Sequence, residues 1–284
     1  MVYLVELKLS FYLIVSLPYF GVSLGSESPW KWKPVSISHR DKYEKLLQLQ
    51  HVEHSQKINK INGVRVCCVD EFKIGQGADG TSVYIGLSED GYERAVKRLV
   101  KNVSGQLGLH EQNVLNTLNA VDSRYIVRYW FYDEDSDDGF AYLMLDLCEE
   151  TLEHYVKNQR QEKLDENAVA IIRQILEALN DLHRKPMPVL HRDLKPSNIL
   201  RNVHDKWLMA DFGLSRTLSE EQTTHQSEER GTKFWRAVES YPNENGDDNC
   251  SNKVRFEKKS DIRSARLVSF HVLTKKETLL YRKF

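Results

Sequence analysis

The chain has little cysteine. Cys67, Cys68, Cys148 and Cys250 are the only four among 284 residues, and none stands in a C-x-x-C pair. That excludes a disulfide-stapled scaffold and a thiolate zinc site of the usual spacing. Cys67 and Cys68 are adjacent and make poor partners for each other, so the reading is reduced cysteines in a cytosolic fold. An excess of basic charge is also lacking. Lys and Arg number 40 against 41 Asp and Glu, a formal net charge of −1. No basic stripe carries interleaved aromatics, so composition gives no reason to expect direct nucleic-acid binding. No internal repeat is visible.

Long uncharged runs are absent, with one exception. Residues 9–26 carry no charge and many are apolar, which is the lower edge of a membrane span. Pro18 and Gly21 confine the strongly apolar part to about Phe11–Leu17, closer to the length of a signal-peptide core. Ser23-x-Gly25 offers a cleavage site. Lys8 precedes the run, and Lys31, Lys33, Arg40, Lys42 and Lys45 follow it. By the positive-inside rule an anchor here would leave the C-terminal side in the cytoplasm. Three readings stay open: a signal anchor, a cleaved signal, and a leader that does not span.

Residues 27–63 read as a linker, polar, with Pro29 and Pro34 early and a short helix at Lys42–His51. Structure is expected from Val64. The runs Val64–Ile74, Thr81–Leu87 and Arg94–Val100 are rich in β-formers, and Ser88-Glu-Asp-Gly91 supplies a turn between the last two. A helix follows at Leu107–Leu118, then strands at Ile126–Tyr132 and Phe140–Leu147 across the acidic turn Asp133–Gly139. The pattern then turns helical. Thr151 can cap a short helix to Val156, and Asp165–Arg184 carries apolar residues at a 3.6-residue period. The expected fold is α+β in two lobes: a five-stranded antiparallel N-lobe over 64–147 and a helical C-lobe over 148–284. Asn243–Asn252 reads as a polar, turn-rich surface loop.

The chemistry concentrates in residues 191–213, HRDLKPSNILRNVHDKWLMADFG. Asp193, Lys195, Asn198 and Asp211 stand at the spacing of a phosphate-transfer site, and a chance match of H-R-D-x-K-x-x-N followed by D-F-G is rare. Upstream, Gly75-Gln-Gly77-Ala-Asp-Gly80 follows one strand and enters another. A dinucleotide-binding loop of this pattern opens a helix instead. Ala95-Val-Lys97 puts a lysine between apolar neighbours on a strand, and Glu111 lies in the helix that follows. Taken singly, Lys97 and Glu111 would read as surface charges, and the glycines as an ordinary hairpin.

Together these residues resemble a protein kinase domain. The resemblance implies ATP under Gly75, Gly77 and Gly80. Val83 and Ala95 lie against the adenine, although Val83 is three residues after Gly80 where the usual pattern has two. Lys97 meets the phosphates and pairs with Glu111. Asp146-Leu-Cys148 becomes the hinge whose backbone bonds the adenine edge, with Leu145 as gatekeeper behind it. Asp193 accepts the proton of a substrate hydroxyl, and Lys195 neutralises the transferred phosphoryl group and marks the Ser/Thr type. Asn198 and Asp211 ligate Mg2+. Arg192 anchors an activation-loop phosphate, with Thr223, Thr224 and Ser227 as candidate phosphosites. Thr232, after Gly231, bridges to Asp193 and Lys195.

Several segments are similar in particular to the inositol-requiring kinase/endoribonuclease group of unfolded-protein-response sensors and to RNase L: GQGADGTSVYIG, RAVKRL, LDLCEETLEHYV and SDIRSARLVSFHVLTKKE. That resemblance implies a protein substrate or the chain itself as phosphate acceptor. It also implies a homodimer or pairing with a full-length homologue, and an endoplasmic-reticulum membrane location with the kinase domain in the cytosol. A cytoplasmic protein and a nucleotide-binding, dimerising module without catalysis are the alternatives. There are departures. The A-P-E of kinases is Ala237-Val238-Glu239, and Arg266 replaces a packing glycine, which threatens a buried unpaired charge. After Thr274 the resemblance fades. The last lower-lobe helices and a ribonuclease domain are then expected to be missing, leaving the apolar face of the helix near Asp261–Leu273 exposed.

Overall fold

Continuous burial along residues 84–87 and 93–96, rather than alternation, marks the centre of the upper sheet. The computed structural model describes residues 31–49, 58–77, 80–219, 224–228, 231–237 and 253–276. Residues 9–26, Thr223, Val238, Glu239 and Asn243–Asn252 lie outside them. Among the described residues no helix is long and apolar enough to cross a membrane.

Among the described residues the upper lobe is an antiparallel sheet of seven strands, not five. They are β1 (Ile58–Ile61), β2 (Val64–Cys67), β3 (Lys73–Gln76), β4 (Ser82–Ser88), β5 (Glu93–Val100), β6 (Tyr129–Asp133) and β7 (Phe140–Asp146). The order is β1-β2-β4-β5-β7-β6, with β3 also on β4. Two features raise the count. A 3₁₀ turn at Asp70–Phe72, with Phe72 buried, cuts the expected strand Val64–Ile74 in two. Both pieces lie along one edge of β4, β2 against residues 86–88 and β3 against 82–84. The extra strand β1 folds back through Asn62-Gly63, whose φ values of 44° and 80° are those of a two-residue hairpin turn. Val64, Val66, Tyr84, Val96, Tyr142 and Met144 fill one face of this sheet.

The segment expected to be a linker is in large part built into this lobe. Helix α1 (Arg40–Leu49) buries Tyr43 and Leu46 completely. The Tyr43 hydroxyl lies 3.0 Å from the Gly86 carbonyl and 3.2 Å from the Arg94 carbonyl, donating into that pair. Ahead of α1, the Trp32 indole and the Ser36 amide donate to the two Glu93 oxygens at 2.9 and 2.7 Å. Glu93 is buried and would be costly without such donors.

A π-helical turn at 101–105 leads into α2 (Gln106–Leu115), followed by the single turn α3 (Leu118–Val121). Below the hinge come β8 (Glu150–Thr151), α4 (Leu152–Asn158) and α5 (Gln161–Leu182). The Thr151 hydroxyl caps α4 by accepting from the His154 amide. Along α5, Leu164, Ala168, Ile171, Ile175, Ala178, Leu179 and Leu182 are buried at helical spacing. Each Leu or Ile there contributes about 1.5–3 kcal/mol. Short strands β9 (Val189–Leu190), β10 (Ile199–Arg201), β11 (Trp207–Met209) and β12 (Arg216–Thr217) hold the loops between them, with β10 paired to both β8 and β11 and β12 to β9. Strands β13 (Thr224–Glu228) and β14 (Lys253–Glu257) pair antiparallel ahead of α6 (Lys258–Thr274), which packs on α5. The lobes also meet where Met209 exchanges backbone hydrogen bonds with Tyr125 and Val127.

Two expectations about α6 change. Arg266 points to solvent, so it buries no charge. The apolar face of α6 is largely covered, with Ala265, Leu267, Val268 and Val272 buried and Ile262 and Leu273 exposed. The wider exposed apolar stretch lies on α5, at Val169 and Leu176.

Candidate active site

Strand register builds the upper wall. Val83 stands opposite Lys97, and Lys97 opposite Leu143. Ala95 stands opposite Leu145. Because facing residues and their i±2 neighbours share a face, these side chains look to one side of the sheet. The glycine-rich turn joins β3 to β4, with the Gly77 amide donating to the Thr81 carbonyl at 2.9 Å. Gly80 has φ +76°, backbone that a side chain resists. Residues 78 and 79 lie outside the description.

Lys97 is the centre of the charge arrangement. Its Nζ donates to Glu111 Oε2 at 2.6 Å and to Asp211 Oδ1 at 2.9 Å. Glu111 comes from α2, and its other oxygen accepts the Phe212 amide at 3.2 Å. Burial disfavours the Lys97 ammonium, but Asp211 and Glu111 together outweigh it and its pKa rises. Glu111 is almost wholly enclosed, and burial pushes its pKa up against the pull of Lys97. Asp211 opens more to the cleft; the Lys97 charge holds its pKa below the usual carboxylate range.

The residues of the 191–213 stretch meet beneath. Asp193 Oδ1 accepts from both the amide and the hydroxyl of Thr232 at 2.8 Å. Asp193 Oδ2 lies 2.9 Å from Lys195 Nζ, which also reaches the Thr232 hydroxyl at 2.6 Å. Asn198 donates its amide to the Asp193 carbonyl and Oδ2 at 2.9 and 3.2 Å. Its Oδ1 is left without a hydrogen bond among the described residues. Gly231, at φ +99°, brings Thr232 into place; a Cβ there would lie 2.8 Å from the Arg192 carbonyl.

Asp146 ends β7, and Cys148 follows two residues later in the segment between the lobes. Cys148 is nearly buried, and burial pushes its thiol pKa up to about 12, so it is not a reactive thiolate at neutral pH. Arg192 is buried with φ +71° and its guanidinium 4.2 Å above the Phe256 ring. Thr224 and Ser227 lie in β13, opposite Glu257 and Val254 in register.

A family model described as the protein kinase domain matches residues 69–282. The chain belongs to the protein kinase domain family. Several of its relatives carry serine/threonine kinase names. The probable serine/threonine-protein kinase zyg-1 of Caenorhabditis elegans is 33% identical over 57% of this chain and 23% of its own length. The serine/threonine-protein kinase/endoribonuclease ireA of Aspergillus fumigatus is 31% identical over 65% of this chain and 17% of its own. The serine/threonine-protein kinase/endoribonuclease IRE1 of Hypocrea jecorina is 27% identical over 72% and 18%. The chain thus spans less than a quarter of the length of these relatives.

Within this kinase domain the fold brings together Lys97, Glu111, Asp193, Lys195, Asn198, Asp211 and Thr232, all legible in the sequence motifs, whereas Asp261 is not. That carboxylate is buried in the first turn of α6. Its oxygens accept the His191 and Arg192 amides at 2.9 Å each, and His183 Nε2 lies 2.9 Å from Oδ2. The signal for it is a lone acid followed by the apolar positions of a buried helix. Glu93 and Glu149, both buried, are overlooked for the same reason: an isolated glutamate looks like surface.

Proposed function

We propose that the chain is an ATP- and Mg2+-dependent protein serine/threonine kinase of the sensor type that pairs a kinase with an endoribonuclease. It would phosphorylate a protein substrate or another copy of itself. The carrying observation is the joint placement of Lys97 on Glu111 and Asp211 with Asp193 on Lys195 and Thr232. In this reading Lys97 orients the phosphates beneath Gly75, Gly77, Gly80 and Val83. Leu145, Asp146 and Cys148 receive the base. Asp193 takes the proton of the attacking Ser or Thr hydroxyl as Lys195 offsets charge on the transferred phosphoryl group.

The donor set suits Mg2+. Asn198 Oδ1 and the half-exposed Asp211 carboxylate are two hard oxygen ligands, the small protein share this ion takes when phosphates supply more. Among the described residues no cluster of three His, Cys, Asp or Glu competes as a metal cage. Bound there with the nucleotide, the ion would neutralise phosphate charge.

We further assign residues 1–26 to a leader or signal anchor in the endoplasmic-reticulum membrane with the kinase domain, from Val64 on, on the cytosolic side. Fractionation of tagged protein with and without carbonate extraction tests this against a cytoplasmic location. A second reading, a nucleotide-binding and dimerising module without transfer, draws support from Asp193, whose two oxygens are already occupied by the chain itself. One experiment separates them. Mg·ATP should raise the melting temperature as RT ln(1 + [L]/Kd), and wild type should label itself or a generic substrate while Asp193→Asn should not. A melting shift without labelling supports the second reading. No shift at millimolar Mg·ATP sinks both.

A further inference from the structure

The segment before α1 lies along the hinge, and its contacts there are specific. His39 Nε2 faces the Cys148 carbonyl at 3.1 Å, so that nitrogen is the donor. The next residue, Glu149, is buried, and its carboxylate accepts the Ile37 amide at 3.2 Å and the Ser38 amide at 2.6 Å. These bonds, opposed by burial, hold the Glu149 pKa down. The Ser36 hydroxyl accepts the His39 amide at 3.1 Å, and Ser36 is itself fully buried and tied to Glu93. His39 is therefore fixed on both sides before it reaches the hinge.

The peptide group between Cys148 and Glu149 is clamped at both ends. Its carbonyl accepts from His39, and its N–H donates to the Arg201 carbonyl of β10 at 2.7 Å. A peptide group is planar, so two opposed hydrogen bonds set its orientation. Only the φ and ψ of Cys148 then separate this fixed plane from the Cys148 N–H, so the clamp limits where that N–H can point. The Cys148 N–H has no partner among the described residues, which leaves it for a ligand.

We propose that His39 is a positioning residue for the nucleotide base: it orients the hinge peptide and occupies the Cys148 carbonyl, so that the base is read by the remaining hinge groups. This rests on the nucleotide-binding reading above. It makes the segment 31–49 a determinant of base preference. Adenine offers the hinge a donor and an acceptor. A 2-aminoadenine base adds a second donor, which competes with His39 for the Cys148 carbonyl.

The test compares the full chain with His39→Ala and His39→Gln, the latter keeping an N–H donor. Dissociation constants for Mg·ATP and for the Mg complex of 2-amino-ATP are read from thermal-shift titrations. In His39→Ala, ATP binding should weaken about two- to tenfold, the scale of one neutral hydrogen bond. The 2-amino analogue should weaken less or tighten, so the preference ratio moves toward it. His39→Gln should restore the wild-type ratio. Because the ratio is internal to each variant, a general loss of stability cancels. An unchanged ratio in His39→Ala, or His39→Gln behaving as His39→Ala, overturns the proposal and leaves the segment a purely structural brace. A wild-type chain that binds neither nucleotide instead overturns the nucleotide reading, before any substitution is made.

Discussion

Asp261 Oδ1 accepts the backbone N–H of Arg192 at 2.9 Å across 69 residues of sequence. Arg192 sits at φ +71°, a conformation that costs a residue with a Cβ about 1–2 kcal/mol. The neighbouring His191 amide binds the other Asp261 oxygen. One buried carboxylate on α6 therefore holds the strained turn that delivers Asp193 to the cleft. Asp261→Ala should cost about 2–5 kcal/mol, since it strands two buried amides. Urea denaturation reads this directly, and a change under 1 kcal/mol would refute the role.

The same carboxylate carries a pH dependence. Its amide and His183 hydrogen bonds, set against burial, hold its folded pKa below the ordinary value. A depressed folded pKa means the charged form is favoured by folding. That contribution is complete above the unfolded pKa and disappears as pH falls through the folded one. Wild type should lose stability on this acid limb, and Asp261→Asn, already weakened at pH 7, should lose less between pH 5 and pH 3. Parallel curves would show that Asp261 is not the group responsible.

Lys97→Met tests the charge centre. Removing the ammonium leaves Glu111 enclosed beside Asp211, with burial and the Asp211 charge pushing its pKa up and the opposing pull of Lys97 gone, which favours the neutral carboxyl over a stranded buried charge. Folding should therefore suffer less than the ~3–5 kcal/mol of a broken buried pair. Phosphate transfer should fall at least about a hundredfold, as when preorganised charge is removed from a reacting group. Labelling within tenfold of wild type would count against the assignment of Lys97.

How far sequence predicts this molecule follows from where each partner lies. The kinase motifs are legible because phosphate chemistry demands fixed residue types at short spacings, and Asp193, Lys195 and Asn198 fall within six residues. The α5 stripe is legible because seven buried positions repeat on one face. The packing of residues 31–49 is not, because the partners of Trp32 and Ser38 lie 61 and 111 residues away and isolated glutamates read as surface. Strand β1 had a local signal in Asn62-Gly63, but Ile58-Asn-Lys-Ile61 is half polar and does not announce a strand. Arg192, expected to wait for a phosphate, stacks on Phe256 from β14, a strand 64 positions downstream that no local pattern links to it.

Gly231→Ala tests the seat of Thr232. The new Cβ would lie 2.8 Å from the Arg192 carbonyl at a φ of +99°, so the backbone must move. Such strain costs about 1–3 kcal/mol. The movement should pull Thr232 off Asp193 and lower transfer about tenfold or more while Mg·ATP still shifts the melting temperature. Equal loss of binding and transfer would mean that the turn supports the whole lobe rather than Thr232.

Leu46→Ala asks whether the segment before β1 belongs to the upper lobe. Leu46 is fully enclosed, and truncation of such a leucine costs about 2–5 kcal/mol when the surroundings cannot collapse into the cavity. If α1 is part of the lobe, that loss appears in the global melting transition. If α1 is a detachable strap, the loss appears instead as faster tryptic cleavage at Lys42 and Lys45, with the melting temperature held. Lys42 and Lys45 both bind Glu71 beside the buried Phe72, so in wild type each should be cut slowly. The Tyr43 hydroxyl ties α1 to the carbonyls of Gly86 and Arg94 in the centre of the sheet, which favours the global outcome. Rapid cleavage of wild type at both lysines would refute the packing itself.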